Sequence, residues 1–452
     1  MSLPRYPAYK DSGVSWLGEV PAHWEIAPIK RAVCSFEQGW SPQCENFAVE
    51  SASEWGVLKV GCVNGGVFRS AENKKLPDEL SPLIQYSLKK GDLLISRANT
   101  RELVGSAAVV PRDFDNLLLC DKLYRARTNL GYAFIVYLAL FLGTPEARSQ
   151  IELAATGASS SMLNIGQAAI LDLPIPRFEQ GEMNAILAFL DRETAKIDAL
   201  IAEQEKLIAL LAEKRQATIS RAVTRGLDPN VPLKESGVPW LGKVPTHWKA
   251  CPLRYLAKVG NGSTPSRDHA AYWAETGFPW LNSSVVNQDE VTESDQFVTD
   301  LALKECHLPV VTPPAVLMGI TGQGKTRGMV AKLGFVATVN QHLAYIKPNS
   351  EMLDDDFLLR VFESAYEYLR TESDGAGSTK GAITCDQVSR LHIPLPEIGE
   401  QVQIADYLNQ MTQRFDSLKD EALTAVALLK ERRAALISAA VTGKIDVRQL
   451  QG

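Results

Sequence analysis

The run from Gln180 to Val223, QGEMNAILAFLDRETAKIDALIAEQEKLIALLAEKRQATISRAV, constrains the fold more than any other stretch. Stepping alternately by four and three meets Met183, Leu187, Leu190, Thr194, Ile197, Ile201, Gln204, Ile208, Leu211, Arg215, Thr218 and Ala222. Most of these are large and apolar, and Ile186, Leu200, Leu207 and Leu210 are expected to widen the stripe. No proline interrupts the run, and its one glycine, Gly181, stands at the start. The pattern predicts one amphipathic helix with a coiled-coil seam, roughly 66 Å long at about 1.5 Å per residue. A compact core has no use for a helix of that length, so it needs a partner helix.

The partner is in the same chain. From about Gln401 to Val441 the sequence is again free of Pro and Gly, and it aligns with the first run without a gap. Ile186 falls on Ile404, Leu190 on Leu408, Leu211 on Leu429 and Ile219-Ser220 on Ile437-Ser438. Ala222-Val223-Thr224 recurs as Ala440-Val441-Thr442. An intramolecular antiparallel pair is expected, held by Leu190, Ile197, Ile201, Ile208 and Leu211 on one helix. Leu408, Phe415, Leu429 and Leu436 face them from the other. Gln204 and Arg215 read either as polar register markers or as places where the stripe leaves the seam.

The rest of the chain is duplicated too. Ser12-Gly13-Val14, Trp16-Leu17-Gly18, Val20-Pro21, His23-Trp24 and Pro28 recur as Ser236-Gly237-Val238, Trp240-Leu241-Gly242, Val244-Pro245, His247-Trp248 and Pro252. The tryptophans read as packing anchors of an entry arm. His23 and His247 read as structural, because no cluster of Cys, Asp or Glu accompanies them. Short apolar runs bounded by Gly, Pro, Asn and Ser follow in each half and predict strands and turns. A helix-like segment comes next in each half, around 133–155 and 355–371. Then come Gly/Ser/Thr-rich loops at 157–167 and 377–387, and strands that close on Leu173-Pro-Ile-Pro176 and Ile393-Pro-Leu-Pro396. The fold class expected is α/β (α+β): two globular domains separated by two long antiparallel helices, related by pseudo-two-fold symmetry. The segments are 1–178, a first domain with its arm; 179–228, a central helix; 229–398, a second domain; and 399–452, a C-terminal helix and tail.

Bulk properties exclude little beyond this. At 452 residues the chain is long enough for two to four domains. Phe134 to Leu142 is apolar but too short to span a bilayer. The N-terminus lacks an export signal pattern, and seven dispersed Cys without a CxxC pair predict reduced thiols in a cytoplasm. The net charge of −6 neither advertises nor excludes nucleic-acid binding, which depends on local basic faces.

The repeated order of arm, variable domain, Pro-Leu-Pro exit and Glu-Gln-led long helix resembles the specificity subunit of type I restriction-modification systems. Arg432-Arg-Ala-Ala-Leu-Ile-Ser-Ala-Ala-Val-Thr-Gly-Lys-Ile-Asp446 is similar to that family's carboxyl end. The resemblance covers nearly the whole chain. The first copy departs from the second by Arg225 in place of Gly443, and by two extra residues between Pro176 and Ile186. The resemblance implies a non-catalytic subunit whose two domains are target-recognition domains, each reading one half of a bipartite double-stranded DNA sequence. It also implies two methyltransferase subunits as partners, with restriction/translocase subunits in a full system, and no cofactor or metal. Two-fold-related readers meet one face of duplex DNA when their half-sites lie about one helical turn apart, roughly 10 base pairs.

Candidate DNA contacts are polar residues of the loops. In the first half these are Gln43, Arg97, Asn99, Arg101, Ser159 and Ser160. In the second they are Arg267, Asn282, Gln323, Lys325, Arg327, Ser378, Thr379 and Lys380. Arg, Asn and Gln can bond bidentately to guanine or adenine edges, whereas Lys, Ser and Thr more often hold phosphates.

Two alternatives compete. One is a structural coiled-coil adaptor without DNA specificity. The other is a nucleotide-binding protein, because Gly319-Ile-Thr-Gly-Gln-Gly-Lys325-Thr326 spells a P-loop. A P-loop must open a helix whose N-terminus cradles phosphate, yet Arg327-Gly-Met-Val-Ala-Lys-Leu-Gly334 reads as a strand. Thr312-Pro-Pro-Ala315 likewise lacks the acceptor and the ring that an amino-methyltransferase loop requires. Equilibrium binding with a fluorescent ATP analogue should therefore show no saturable site, and Lys325→Ala should change nothing.

Overall fold

The long helices form, and each contributes one end to each of two compact units. A computed structural model describes residues 3–159, 162–322, 324–374 and 381–448. The first unit comprises Met1–Gln204 with Thr424–Gly452, and the second comprises Glu205–Leu423. The first long helix spans Gln180–Arg225 and the second Ile398–Val441. No described helix is long and apolar enough to cross a membrane.

In the first unit an antiparallel sheet carries, in order, Ala107–Val109, Leu93–Ser96, Leu123–Arg127 and Ser35–Gln38. A smaller mixed sheet orders Asn73–Lys75, Gly56–Leu58, Phe114–Leu118 and Ser87–Leu88. Pro174–Arg177, the exit strand, pairs antiparallel with Glu25–Pro28 of the arm and so delivers the chain to the long helix. The helical segment expected around 133–155 is two helices, Tyr132–Leu142 and Pro145–Ala154. The break has a local cause: Thr144 caps the second helix by accepting from Ala147 N, and Pro145 occupies its first turn. Part of the loop expected at 157–167 is instead a hairpin of Thr156–Ser159 and Met162–Asn164.

The second unit repeats the plan. Its main sheet runs Ala257–Asn261, Leu343–Pro348, Val316–Gly319, Val330–Leu333 and Glu290–Val291. Lys249–Pro252 pairs with the exit strand His392–Leu395. Here the helical segment is unbroken, Asp355–Asp374.

The seam is antiparallel within each unit. In the first, Ile186 and Leu190 share a core with Ala440 and Val441, and Asp198 accepts from Arg433 Nε at 2.8 Å. In the second, Ile219, Ala222 and Val223 share a core with Ile404 and Leu408, and Arg215 lies 3.7 Å from Asp416. Leu190, Ile197, Leu408 and Phe415 are buried, and Ile201, Ile208, Leu211, Leu429 and Leu436 are half-buried. The expected widening of the stripe holds for Ile186 but fails for Leu200, Leu207 and Leu210, which remain 46%, 42% and 50% exposed. A single partner helix covers a narrow stripe, and these three lie beyond its reach. Arg215 sits half-buried at the seam's edge and reaches Glu363 at 3.3 Å.

Each helix end is fastened to an arm by the same residues. Glu182 accepts from Trp24 Nε1 at 3.2 Å and lies 2.8 Å from His23 Nε2. Glu400 accepts from Trp248 Nε1 at 2.9 Å and lies 3.0 Å from His247 Nε2. The end of the other helix packs on the same indole through a left-handed glycine: Gly443 (φ 77°) on Trp24, Gly226 (φ 73°) on Trp248. The glycine missing opposite Gly443 in the sequence alignment is thus supplied one residue later, after a slightly longer helix.

A methyl group at Gly443 would collide with Pro21 and lie 2.9 Å from Trp24 Cζ3, whereas one at Gly13 (φ 73°) would meet nothing within 4 Å. Gly13→Ala should therefore cost only the backbone penalty, about 1 kcal/mol. Gly443→Ala should add overpacking, for roughly 2–4 kcal/mol in denaturant unfolding.

Candidate nucleic-acid interface

One end of the main sheet carries several of the candidate contacts in each unit, because segments distant in sequence are stitched together there by main-chain bonds. In the first unit Trp40 N donates to Leu119 O and Asp121 N to Trp40 O. Arg97 N donates to Lys122 O and Ile165 N to Arg97 O. The loop after Ser35–Gln38, the Asp121-Lys122 turn, the loop after Leu93–Ser96 and the hairpin strand Met162–Asn164 are therefore held at one place. Gly39 permits the closest of these approaches, since a Cβ there would overlap the Leu119 carbonyl.

Among the expected contacts, Arg97 and Asn99 meet in this frame. Arg97 Nη1 donates to Asp121 O at 3.3 Å, Asn99 Nδ2 donates to Asn64 Oδ1 at 3.2 Å, and Asn99 pairs with Leu163 of the hairpin. Arg101 is exposed on the turn that follows, and Gln43 is exposed three residues beyond Trp40. Ser159 contributes its backbone to the hairpin, where it pairs with Met162. Ser160 lies outside the described residues.

The second unit rebuilds the frame with other side chains. Gly262 N donates to Asn340 O, Ile320 N to His342 O and Ile383 N to Ile320 O. Gly262 lies against Val339 as Gly39 lies against Leu119. At this place a polar chain runs from Thr264 through Gln341 and His342 to Thr321, with contacts of 2.6, 3.1 and 2.9 Å. Sequence reasoning missed all four residues. Aligning Gln341-His342 with Asp121-Lys122, one strand start on another, was the signal that could have found two of them.

Arg267 is exposed at the rim of this frame. Its guanidinium lies 3.7 Å from the Trp273 ring centroid and donates to Gln296 Oε1 at 2.6 Å, and Trp280 Nε1 ties the platform to Ser263 O. Asn282 caps a short helical turn, its Oδ1 accepting from Ser284 N at 2.8 Å, so its carbonyl is already engaged. Lys325 is exposed, and its carbonyl accepts from Tyr366 Oη at 2.7 Å. Arg327 departs from expectation. It is 3% exposed, and its Nη2 pairs with Asp374 at 2.7 Å, so it fastens the loop to the helix Asp355–Asp374 and offers no free fork. Gln323, Ser378, Thr379 and Lys380 lie outside the described residues.

The P-loop spelling has no P-loop structure. Gly319 ends one strand and Val330–Leu333 is the next, and among the described residues between them no helix opens to face the glycines. Asp354, Asp355 and Asp356 cluster, but Lys332 Nζ sits 3.1 Å from Asp355 and 2.9 Å from Asp356, and Asp354 Oδ1 caps the helix through Phe357 N. The ammonium takes the place a cation would occupy.

Residues 245–426 match the family model of the type I restriction modification DNA specificity domain. A putative type I restriction enzyme MjaX specificity subunit from Methanocaldococcus jannaschii is 23% identical over 96% of this chain and 96% of its own length. Over nearly its whole length the chain is thus similar to a type I specificity subunit. The EcoEI specificity subunit of Escherichia coli is 31% identical, over 35% of this chain and 26% of that relative, so this match spans about a quarter of that protein. A solved chain from a study of complex assembly and conformational transition in a type I restriction-modification system shares the fold. It has a TM-score of 0.65 at 18% identity, covering 93% of this chain and 98% of that one. Both relatives are named as specificity subunits of type I restriction enzymes.

Arg327 and Lys325 separate structural from solvent-facing roles in this loop. Arg327→Ala should lower stability by about 1–3 kcal/mol through loss of a buried side chain and its charge-assisted bond to the exposed Asp374. Lys325→Ala should leave the thermal unfolding midpoint unchanged.

Proposed function

We propose that this specificity subunit reads a bipartite duplex DNA sequence, with segments 1–178 and 229–398 each reading one half. Segments 179–228 and 399–452 act as spacers that fix the distance between the halves. Two methyltransferase subunits dock on the chain, restriction/translocase subunits join in a full system, and the assembly works in the cytoplasm. The subunit itself performs no chemistry.

The observation that carries this reading is one loop frame built twice with different side chains. Arg97, Asn99, Asp121 and Lys122 in the first unit stand where Ile320, Gly322, Gln341 and His342 stand in the second. A shared scaffold with unlike hydrogen-bonding edges is what reading two unlike half-sites requires, because base edges in the major groove are told apart by donor and acceptor pattern.

Docking of two like partners is supported by the leucines the seam leaves uncovered. Leu200 and Leu210 of the first helix fall on Leu418 and Leu428 of the second in the repeat alignment, and all four are exposed, by 46–59%. Exposed apolar residues at matching repeat positions offer each copy of one partner the same footing.

Removing the Arg97 and Arg101 side chains tests the DNA reading. In the complex with its methyltransferase, Arg97→Ala with Arg101→Ala should relax base preference, by about tenfold or more, in one half of the target. The other half should keep its preference. Equal loss at both halves, or none, would contradict separate readers.

A further inference from the structure

In the second unit one exposed side chain at the sheet end is held in a fixed plane by polar neighbours. Thr264 Oγ1 donates to Gln341 Oε1 at 2.6 Å. The Gln341 amide nitrogen faces His342 Nε2 at 3.1 Å, and His342 Nδ1 faces Thr321 Oγ1 at 2.9 Å. An amide nitrogen can only donate, so His342 Nε2 accepts and the ring proton sits on Nδ1, where it donates to Thr321. The turn is pinned as well: His342 N donates to Asn340 Oδ1 at 2.9 Å, and Asn261 Nδ2 donates to Gln341 O at 3.3 Å.

A primary amide carries two N–H donors and two carbonyl lone pairs. Thr264 takes one lone pair and His342 takes one N–H. One donor and one acceptor of the amide remain for a ligand, on an exposed residue. Adenine presents the complement in the major groove, N7 as acceptor and the N6 amino group as donor. Guanine presents two acceptors there and would leave the amide oxygen facing a lone pair.

We infer that Gln341 is a specificity-determining residue that reads one adenine, and that Thr264, His342 and Thr321 are positioning residues that set its amide plane. The inference rests on the DNA-reading function proposed above. It gives the Gln341-His342 turn a chemistry distinct from that of Asp121-Lys122, which holds the same place in the first unit.

The test begins with the full chain and its methyltransferase partner, whose target is fixed by mapping methylated bases in cells carrying both. Absence of a split motif at this step would refute DNA reading altogether, and with it this inference. With the motif known, binding is measured to duplexes carrying 7-deazaadenine at each adenine in turn, a change that removes only N7. At one adenine the analogue should weaken the wild-type complex about tenfold and leave Gln341→Ala indifferent. Gln341→Glu, which keeps shape but cannot donate, should prefer cytosine there, whose amino group needs an acceptor. Thr264→Val should lose part of the discrimination at that position alone, and add nothing to Gln341→Ala. If every adenine analogue affects wild type and Gln341→Ala alike, or if Gln341→Ala weakens all duplexes uniformly, Gln341 does not read adenine.

Discussion

A first-turn carboxylate, buried in one copy and half-buried in the other, holds the architecture together twice. Glu182, 8% exposed, stands in the first turn of one long helix and receives Trp24 and His23 from the entry arm. Glu400 does the same for Trp248 and His247. A carboxylate withdrawn from water is tolerated only when donors meet its oxygens, so each glutamate dictates where the indole and imidazole must stand. With the indole fixed, the opposite helix ends beside the ring on a left-handed glycine: a Cβ at Gly443 would collide with Pro21 and crowd Trp24, while at Gly226 the positive φ alone favours glycine. One clasp thus joins three chain segments distant in sequence: an arm, the start of one helix and the end of the other.

Everything that varies lies away from the clasps. Arm, exit strand and helix ends keep the same anchor residues in both halves, whereas the loops at the sheet end share main-chain bonds and little else. Backbone hydrogen bonds are indifferent to side-chain identity, so the frame that joins Arg97 to Lys122 also joins Ile320 to His342. The result is a mount whose geometry is set by backbone and glycine and whose recognition chemistry is free to change.

Periodicity made the helices legible. The first begins at Gln180 as expected, and the second begins at Ile398, three residues before the expected Gln401. The seam residues follow the four-three spacing, but the width of the covered stripe was not legible. Leu200, Leu207 and Leu210 are as apolar as Leu190, and only the number of partner helices decides which are covered. The clasps were half legible: the paired His-Trp stood out as anchors, but Glu182 lies 158 residues from Trp24, and nothing local marks it among other acids. Arg327 shows the converse error. In sequence it neighbours Lys325 in a polar loop, while in space Asp374 draws it under the loop and out of solvent. Gln341 was passed over because its loop-mates Thr264 and Thr321 are likewise remote in sequence.

The central claim, two unlike readers on one duplicated scaffold, is tested most directly by genome-wide mapping of methylated bases in cells with and without this gene. The partner methyltransferase must be present in both. The account predicts that deletion erases methylation at one split motif, two unlike halves around a gap of fixed length. Unchanged methylation, or loss at a continuous or palindromic motif, would contradict it.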